Sequence, residues 1–246
     1  MKLLSLCPLC DSDEIRVVPI HLRDDGVADA ICPSSHKFVV VSPHDKFEIL
    51  FDAAALALLD EYPREAISDF AAALEEFYGF VIRAMSEYRI IAQEAEEISS
   101  DESSKTWKQV AAQSERQVGA FLYIYLLVTG KTYQLDTEGI KLRNKVIHRG
   151  YLPTLKEATA FGERVWHDIT SVQQDLLEAG MFTSPSEGEH RPYKIAGDMP
   201  LVNLIELPHA IMLNQSLELG GFSERLFRLR TVWRGAIYGR GPWGNI

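Results

Sequence analysis

Only three cysteines occur among the 246 residues, too few and too odd a number for the paired disulfide framework of a small secreted domain. Glycine and proline are also modest, at 16 and 11, which excludes collagen-like and low-complexity chains. Long apolar runs are missing: the longest, Phe121 to Val128, falls well short of the roughly 20 residues that cross a bilayer. The opening residues Met1 to Cys7 lack the apolar region of roughly 7 to 15 residues that an export signal needs. These absences predict a soluble, cytoplasmic protein with no membrane association. Positive charge is scarce too. Against 35 Asp plus Glu stand 25 Lys plus Arg, a net charge of -10, so any contact with nucleic acid must come from a local basic patch. No repeat of solenoid period is visible. What is present, 46% hydrophobic and 10% aromatic residues, suffices for a folded core.

Three segments are expected along the chain. Residues 1–48 carry all the cysteines, with short β-branched runs at Ile15 to Ile20, Val27 to Ile31 and Phe38 to Val41 separated by turn residues, and read as a small strand-rich module. Residues 52–182 read as a mainly α four-helix bundle. Its first helix starts near Pro63, buries Ile67, Phe70, Leu74, Phe77 or Tyr78, and Val81, and runs into the 90s. A polar break at Ser99 to Ser104 follows. The second helix places Trp107, Val110, Ala111, Ser114, Val118, Phe121, Leu122 and Tyr125 on one face and stops at Gly130. Asp136 or Thr137 caps a third, shorter helix ending at Gly150, and Thr154 with Glu157 has capping-box form for a fourth, which buries Ala158, Phe161, Val165, Ile169, Val172 and Leu176. Beyond the Ser184 to Gly188 linker, residues 183–246 form a C-terminal basic and aromatic extension.

Cys7-Pro-Leu-Cys10 followed by Cys32-Pro-Ser-Ser-His36 offers two donors on each of two tight turns, a spacing that closes a tetrahedron around zinc and leaves no open position for chemistry. A structural zinc ion held by Cys7, Cys10, Cys32 and His36 is therefore expected, and it explains how a module so poor in large apolar side chains can fold. His21 and His44 stand close enough in sequence to replace His36 as the fourth ligand.

The densest positive cluster, Lys141 to Arg149, lies on the third helix. Asn144 and His148, four apart, share a face, whereas Arg143 and His148 lie about 140° apart on the wheel and converge only obliquely. Histidine can take a proton from a ribose 2'-hydroxyl or give one to a leaving 5'-oxygen, and arginine can hold the charge of a phosphorane, a reaction that needs no metal. Lys141, Lys145 and Arg149 are the candidate RNA-binding residues beside them.

The Arg143-Asn144-x-x-x-His148 stretch in a four-helix all-α domain resembles the HEPN (higher eukaryotes and prokaryotes nucleotide-binding) family over about residues 52–180, with Ser114 to Gln117 as a supporting stretch. The resemblance implies a metal-independent endoribonuclease that leaves 2',3'-cyclic phosphate ends, with Arg143, Asn144 and His148 forming the site across a homodimer. It also implies a toxin or phage-defence effector cutting tRNA, mRNA or rRNA, restrained by a neutralising antitoxin or released by a phage-derived trigger. Two other functions stand beside it: a HEPN-like module that binds nucleotide or RNA or assembles a complex without cutting, and a zinc-ribbon regulator acting on DNA, which the acidic N-terminal segment disfavours. In the extension, Arg225, Arg228, Arg230, Arg234 and Arg240 interleave with Phe222, Phe227, Trp233, Tyr238 and Trp243, a composition for gripping phosphates and stacking bases. The competing expectation is a helix that docks on the bundle through Leu226, Leu229, Val232 and Trp233, with its arginines outside. His167, His190 and His209 have no evident chemical partner.

Overall fold

A computed structural model describes residues 2–10, 17–42, 44–92, 100–181, 201–203, 212–213 and 220–238. Helix dominates, and the chain divides into two compact units, 1–60 together with 188–246, and 61–187. Among the described residues no helix is long and apolar enough to cross a membrane.

In the first unit, β1 (Lys2–Leu6) and β2 (Val17–His21) form an antiparallel pair, as do β3 (Val27–Ile31) and β4 (Lys37–Val41). Period-two alternation sorts the β3–β4 hairpin into two buried faces. Ala28, Ala30, Phe38 and Val40 join Val18, Ile20, Cys7 and Cys32 in one cluster, and Val27, Val39 and Val41 form another. A strand buried on both faces leaves its backbone in need of neighbours on both edges. β4 finds its second neighbour in β5 (Leu201–Asn203), which pairs with it in parallel, Val39 opposite Leu201 and Val41 opposite Asn203. The first unit is thus built from both ends of the sequence, where three consecutive segments were expected.

α1 (Lys46–Leu59) also belongs to this unit, and the Glu48 side chain accepts the Asp45 backbone N–H at 2.9 Å to close its first turn. Its partner is α7 (Phe222–Tyr238), with Phe51 and Phe222 meeting edge to face at 6.4 Å. The C-terminal helix therefore packs on α1 within its own unit.

Asp52 of α1 is 1% exposed, and no hydrogen bond of good geometry reaches either carboxylate oxygen. Burial first, then the Glu48 carboxylate, raises its pKa well above the usual carboxylate range; the Met212 backbone N–H opposes the shift without cancelling it. A raised acid favours the neutral form in the folded state, so folding loses stability as pH rises above the unfolded value of 3.8. Asp52→Asn is expected to raise the melting temperature at about pH 8, by on the order of 1–3 kcal/mol of stability. The gain should shrink toward zero as pH approaches 4. Equal melting shifts at both ends of a pH series would show that the carboxylate ionises freely in the folded protein.

The second unit holds α2 (Pro63–Ala92), α3 (Ser100–Val110), α4 (Ser114–Thr129), α5 (Thr137–Arg149) and α6 (Leu155–Glu178). All six α6 residues expected inside are buried, and Thr154 and Glu157 form the capping box. They pack with Phe70, Phe77, Tyr78 and Val81 of α2, Phe121 and Tyr125 of α4 and Val146 of α5 among the buried residues. Tyr78 and Phe121 stack at 4.3 Å, Tyr133 meets Phe121 edge to face, and the Tyr78 and Tyr133 hydroxyls lie 3.2 Å apart. Five helices replace the expected four. The polar stretch taken as a break starts a helix, with Glu102 near the positive end of its dipole and Lys105 reaching Glu102 at 3.2 Å. The interruption falls instead at 111–113, where Gln113 turns to extended backbone and the Arg116 guanidinium donates to the Gln109 carbonyl at 3.3 Å.

Candidate active site and metal centre

α5 is held at both ends. Asp136 accepts the Gly139 amide at 2.9 Å as N-cap and the Arg164 Nε at 2.7 Å from α6. A side chain at position 139 would collide with the Asp136 carboxylate and press on Phe161, so glycine there is what lets the cap close. At the other end Gly150 takes φ 65, and the following Tyr151 N–H returns to the Lys145 carbonyl. Between these ends Val146 faces the core while Asn144 and His148 face solvent.

Arg143 closes the gap that the helical wheel left open. One terminal nitrogen, Nη1, donates to Asn144 Oδ1 at 3.1 Å and faces His148 Nε2 at 3.4 Å. The other, Nη2, donates to Glu75 Oε1 of α2 at 2.8 Å. For His148 Nε2 to accept from the guanidinium it must carry the lone pair, which puts the ring proton on Nδ1. Glu75 is itself tied down: its backbone carbonyl accepts the Gln117 side-chain amide of α4 at 2.6 Å. A Cβ on Gly79 would come within 2.6 Å of that amide nitrogen, so Gln117 crosses α2 at the one residue that leaves room. Arg143 is one-quarter exposed, with its Nε buried and unpaired. The arrangement places a fixed cation against an imidazole nitrogen and an amide at a surface open to solvent, the donors and base that phosphate-ester chemistry uses.

Lys141, Lys145 and Arg149 are exposed on the same helix, Lys141 paired with Glu138 at 2.7 Å. Within the supporting Ser114 to Gln117 stretch, Gln117 reaches the site and Arg116 caps α3. Glu75 had no signal of its own, because a half-exposed glutamate on a helix looks like solvated surface.

In the first unit, Cys7 and Cys10 follow β1, while Cys32 and His36 flank the turn between β3 and β4. Cys10 Sγ lies 3.9 Å from Cys32 Sγ and 3.6 Å from His36 Nδ1, and Cys7 Sγ lies 3.7 Å from the same nitrogen. A regular tetrahedron with Zn–S of about 2.3 Å and Zn–N of about 2.05 Å has edges of about 3.8 and 3.6 Å. The four donors, all within 4.8 Å of one another, thus have the spacing of a four-coordinate metal site. His36 is the fourth member, through Nδ1; His44 instead approaches Glu48 at 3.7 Å, and His21 ends β2. The knuckle is tight: Cys32 N–H donates to the His36 carbonyl, Ser35 N–H to the Cys32 carbonyl, and Ser35 takes φ 65. Burial acts to raise the Cys32 thiol, but the His36 backbone, the Cys7 side chain, the Ser34 backbone and the Cys10 side chain together outweigh it and bring the group to about 7, while burial and the neighbouring sulfurs push Cys10 up to about 11.

The C-terminal arginines divide. Arg225 is buried, its Nε donating to the Gly220 carbonyl at 2.9 Å and its Nη1 to that of Met212 at 3.4 Å, which removes it from any phosphate-gripping set. Arg228, Arg230 and Phe227 are exposed. Leu229 is buried, but its helix packs on α1, where docking on the bundle with the arginines outside was expected, and Arg225 lies inside. Arg240, Trp243, His190 and His209, and the side chains of Val232, Trp233, Arg234 and Tyr238, fall outside the described residues. His167 is exposed beside Ser171.

The chain matches no family model, and neither a curated protein nor a solved structure is similar to it.

Proposed function

We propose that the chain is an endoribonuclease of HEPN type that cuts RNA through Arg143, Asn144 and His148. The observation that carries this is the contact of Arg143 with both His148 Nε2 and Asn144 Oδ1 at the open surface of a helical unit. His148 Nε2 takes the 2'-hydroxyl proton, the 2'-oxygen attacks phosphorus, and Arg143 stabilises the charge that collects on the phosphorane. The bond to the 5'-oxygen then breaks and that oxygen is protonated, leaving a 2',3'-cyclic phosphate and a 5'-hydroxyl. A second copy across a two-fold axis supplies the second imidazole that such acid and base roles call for. Asn144 orients the guanidinium. Lys141, Lys145 and Arg149 extend the positive surface along the RNA, which in an acidic protein is the local patch that steers the substrate.

In this reading zinc is the metal of the Cys7, Cys10, Cys32 and His36 site, with no open ligand position and a structural task. As a free ribonuclease of this kind is toxic, its activity is held in check by a neutralising partner or an infection signal, the economy of a toxin or phage-defence effector.

The test incubates total RNA with purified protein, in buffers with and without chelator, and identifies the ends of the products. Cleavage that survives the chelator and leaves cyclic phosphate, absent with Arg143→Ala, is the expected result. RNA binding without cleavage would assign the chain to the non-catalytic alternative.

A further inference from the structure

Glu75 stands 68 positions before Arg143 in sequence, yet among the described residues it is the one carboxylate bonded to its guanidinium. An arginine side chain has four rotatable bonds and loses substantial entropy when it is fixed. Asn144 and His148, both on the arginine's own helix and both exposed, lie farther from it, at 3.1 and 3.4 Å. The charged bond to Glu75, at 2.8 Å, is the short one, and charge-assisted bonds are roughly twice as strong as neutral ones. Glu75 in turn sits on a backbone segment that Gln117 clasps from α4. The chain of contacts runs from α4 through α2 to the tip of Arg143, and it delivers Nη1 to His148 across an angle the helix alone does not span.

We propose that Glu75 is a positioning residue that holds Arg143 against His148, setting both the site of positive charge and the ring nitrogen that carries the lone pair. This rests on the proposed nuclease reaction for what Arg143 and His148 do, and on geometry alone for where they are held. Nη2 is committed to Glu75, and Nη1 is thereby held against Asn144 and His148, beside the imidazole that meets a scissile phosphate. Glutamine in place of Glu75 keeps an oxygen acceptor for Nη2; alanine keeps none.

The experiment records the nitrogen resonances of the His148 imidazole by NMR in the full chain, for wild type, Glu75→Gln, Glu75→Ala and Arg143→Ala. Wild type and Glu75→Gln are expected to hold the Nδ1–H tautomer, and Glu75→Ala to lose it as Arg143→Ala does. In RNA cleavage, Glu75→Ala is expected to lower kcat by about 10²-fold, the cost of a misplaced group, with KM little changed, and Glu75→Gln to restore most of the loss. Retention of the Nδ1–H tautomer in Glu75→Ala but not in Arg143→Ala would overturn the proposal. So would its absence from wild type. Tighter RNA binding and faster turnover in both Glu75 variants would overturn it as well, marking Glu75 as a competitor of phosphate. Should the tautomer pattern hold while wild type cuts no RNA, the positioning role stands and the nuclease reading falls.

Discussion

Replacing His148 with alanine is expected to slow RNA cleavage by about 10²–10⁴-fold, the usual contribution of one acid or base. The loss should come without loss of helix content, because His148 is exposed and the α5 core contact is Val146, two positions earlier. Arg143→Ala should cost as much or more. It removes the phosphorane's cation and leaves Glu75 unpaired. Arg143→Lys is informative because the charge survives while the fork does not: one ammonium cannot span Glu75 on one side and Asn144 with His148 on the other. A lysine variant as impaired as the alanine variant would show that geometry matters at this position rather than charge. Equal cleavage by wild type, Arg143→Ala and His148→Ala would place the activity elsewhere and remove this site from the reaction.

Stripping the metal is expected to unfold the β-rich module. Its inner cluster consists of Cys7, Val18, Ile20, Ala28, Ala30, Cys32, Phe38 and Val40, in which Phe38 is the single aromatic ring. Two of the metal donors are members of that same cluster, so the apolar core and the metal site are one structure. Apparent zinc-binding free energies of about 10–16 kcal/mol are folding free energy in such modules, at least as much as the roughly 6–12 kcal/mol that burying Val18, Ile20, Phe38 and Val40 supplies. Elemental analysis should find one zinc per chain in wild type and none in Cys32→Ser. Hydrogen exchange should show the β3 and β4 amides losing protection in Cys32→Ser and on chelation, with the amides of α2 and α6 unaffected. Protection that persists in β3 and β4 after metal removal would make the site an accessory.

Legibility in the sequence followed the range of the forces involved. α6 was readable in its cap and in all but Gly162 of its buried face, because a single face at helical spacing between a capping box and Gly180 needs no knowledge of its partners. The four candidate metal donors were readable because tight turns fix donor spacing locally, and the fold gathers His36, the residue the spacing favoured, and not His21 or His44. Arg143, Asn144 and His148 were readable as types, but their wheel angle argued for an oblique approach, and the wheel omits the reach of an arginine anchored from another helix. Glu75 was invisible for that reason. The α3–α4 interruption was hidden because Trp107 and Val110 continue the periodicity of Phe121 and Tyr125 through a turn that carries neither Gly nor Pro. β5, three residues long, has no pattern of its own and exists only because β4 offers it an edge.

That parallel pairing of β4 with β5 has a consequence for biosynthesis. Strand β4 leaves the ribosome early, but the backbone that completes its sheet, Leu201 to Asn203, is translated only after every residue of the helical unit between them. A nascent chain carries β4 with one ladder of amides and carbonyls unsatisfied for as long as that takes, a state prone to pairing with other chains. The helices that bear Arg143, Asn144 and His148 can meanwhile pack, since every element of their unit is contiguous. The order of synthesis therefore lets the helical unit mature before the unit that gathers Cys7, Cys10, Cys32 and His36 is sealed, and a ribosome that stalls in the last quarter of the message releases the first without the second.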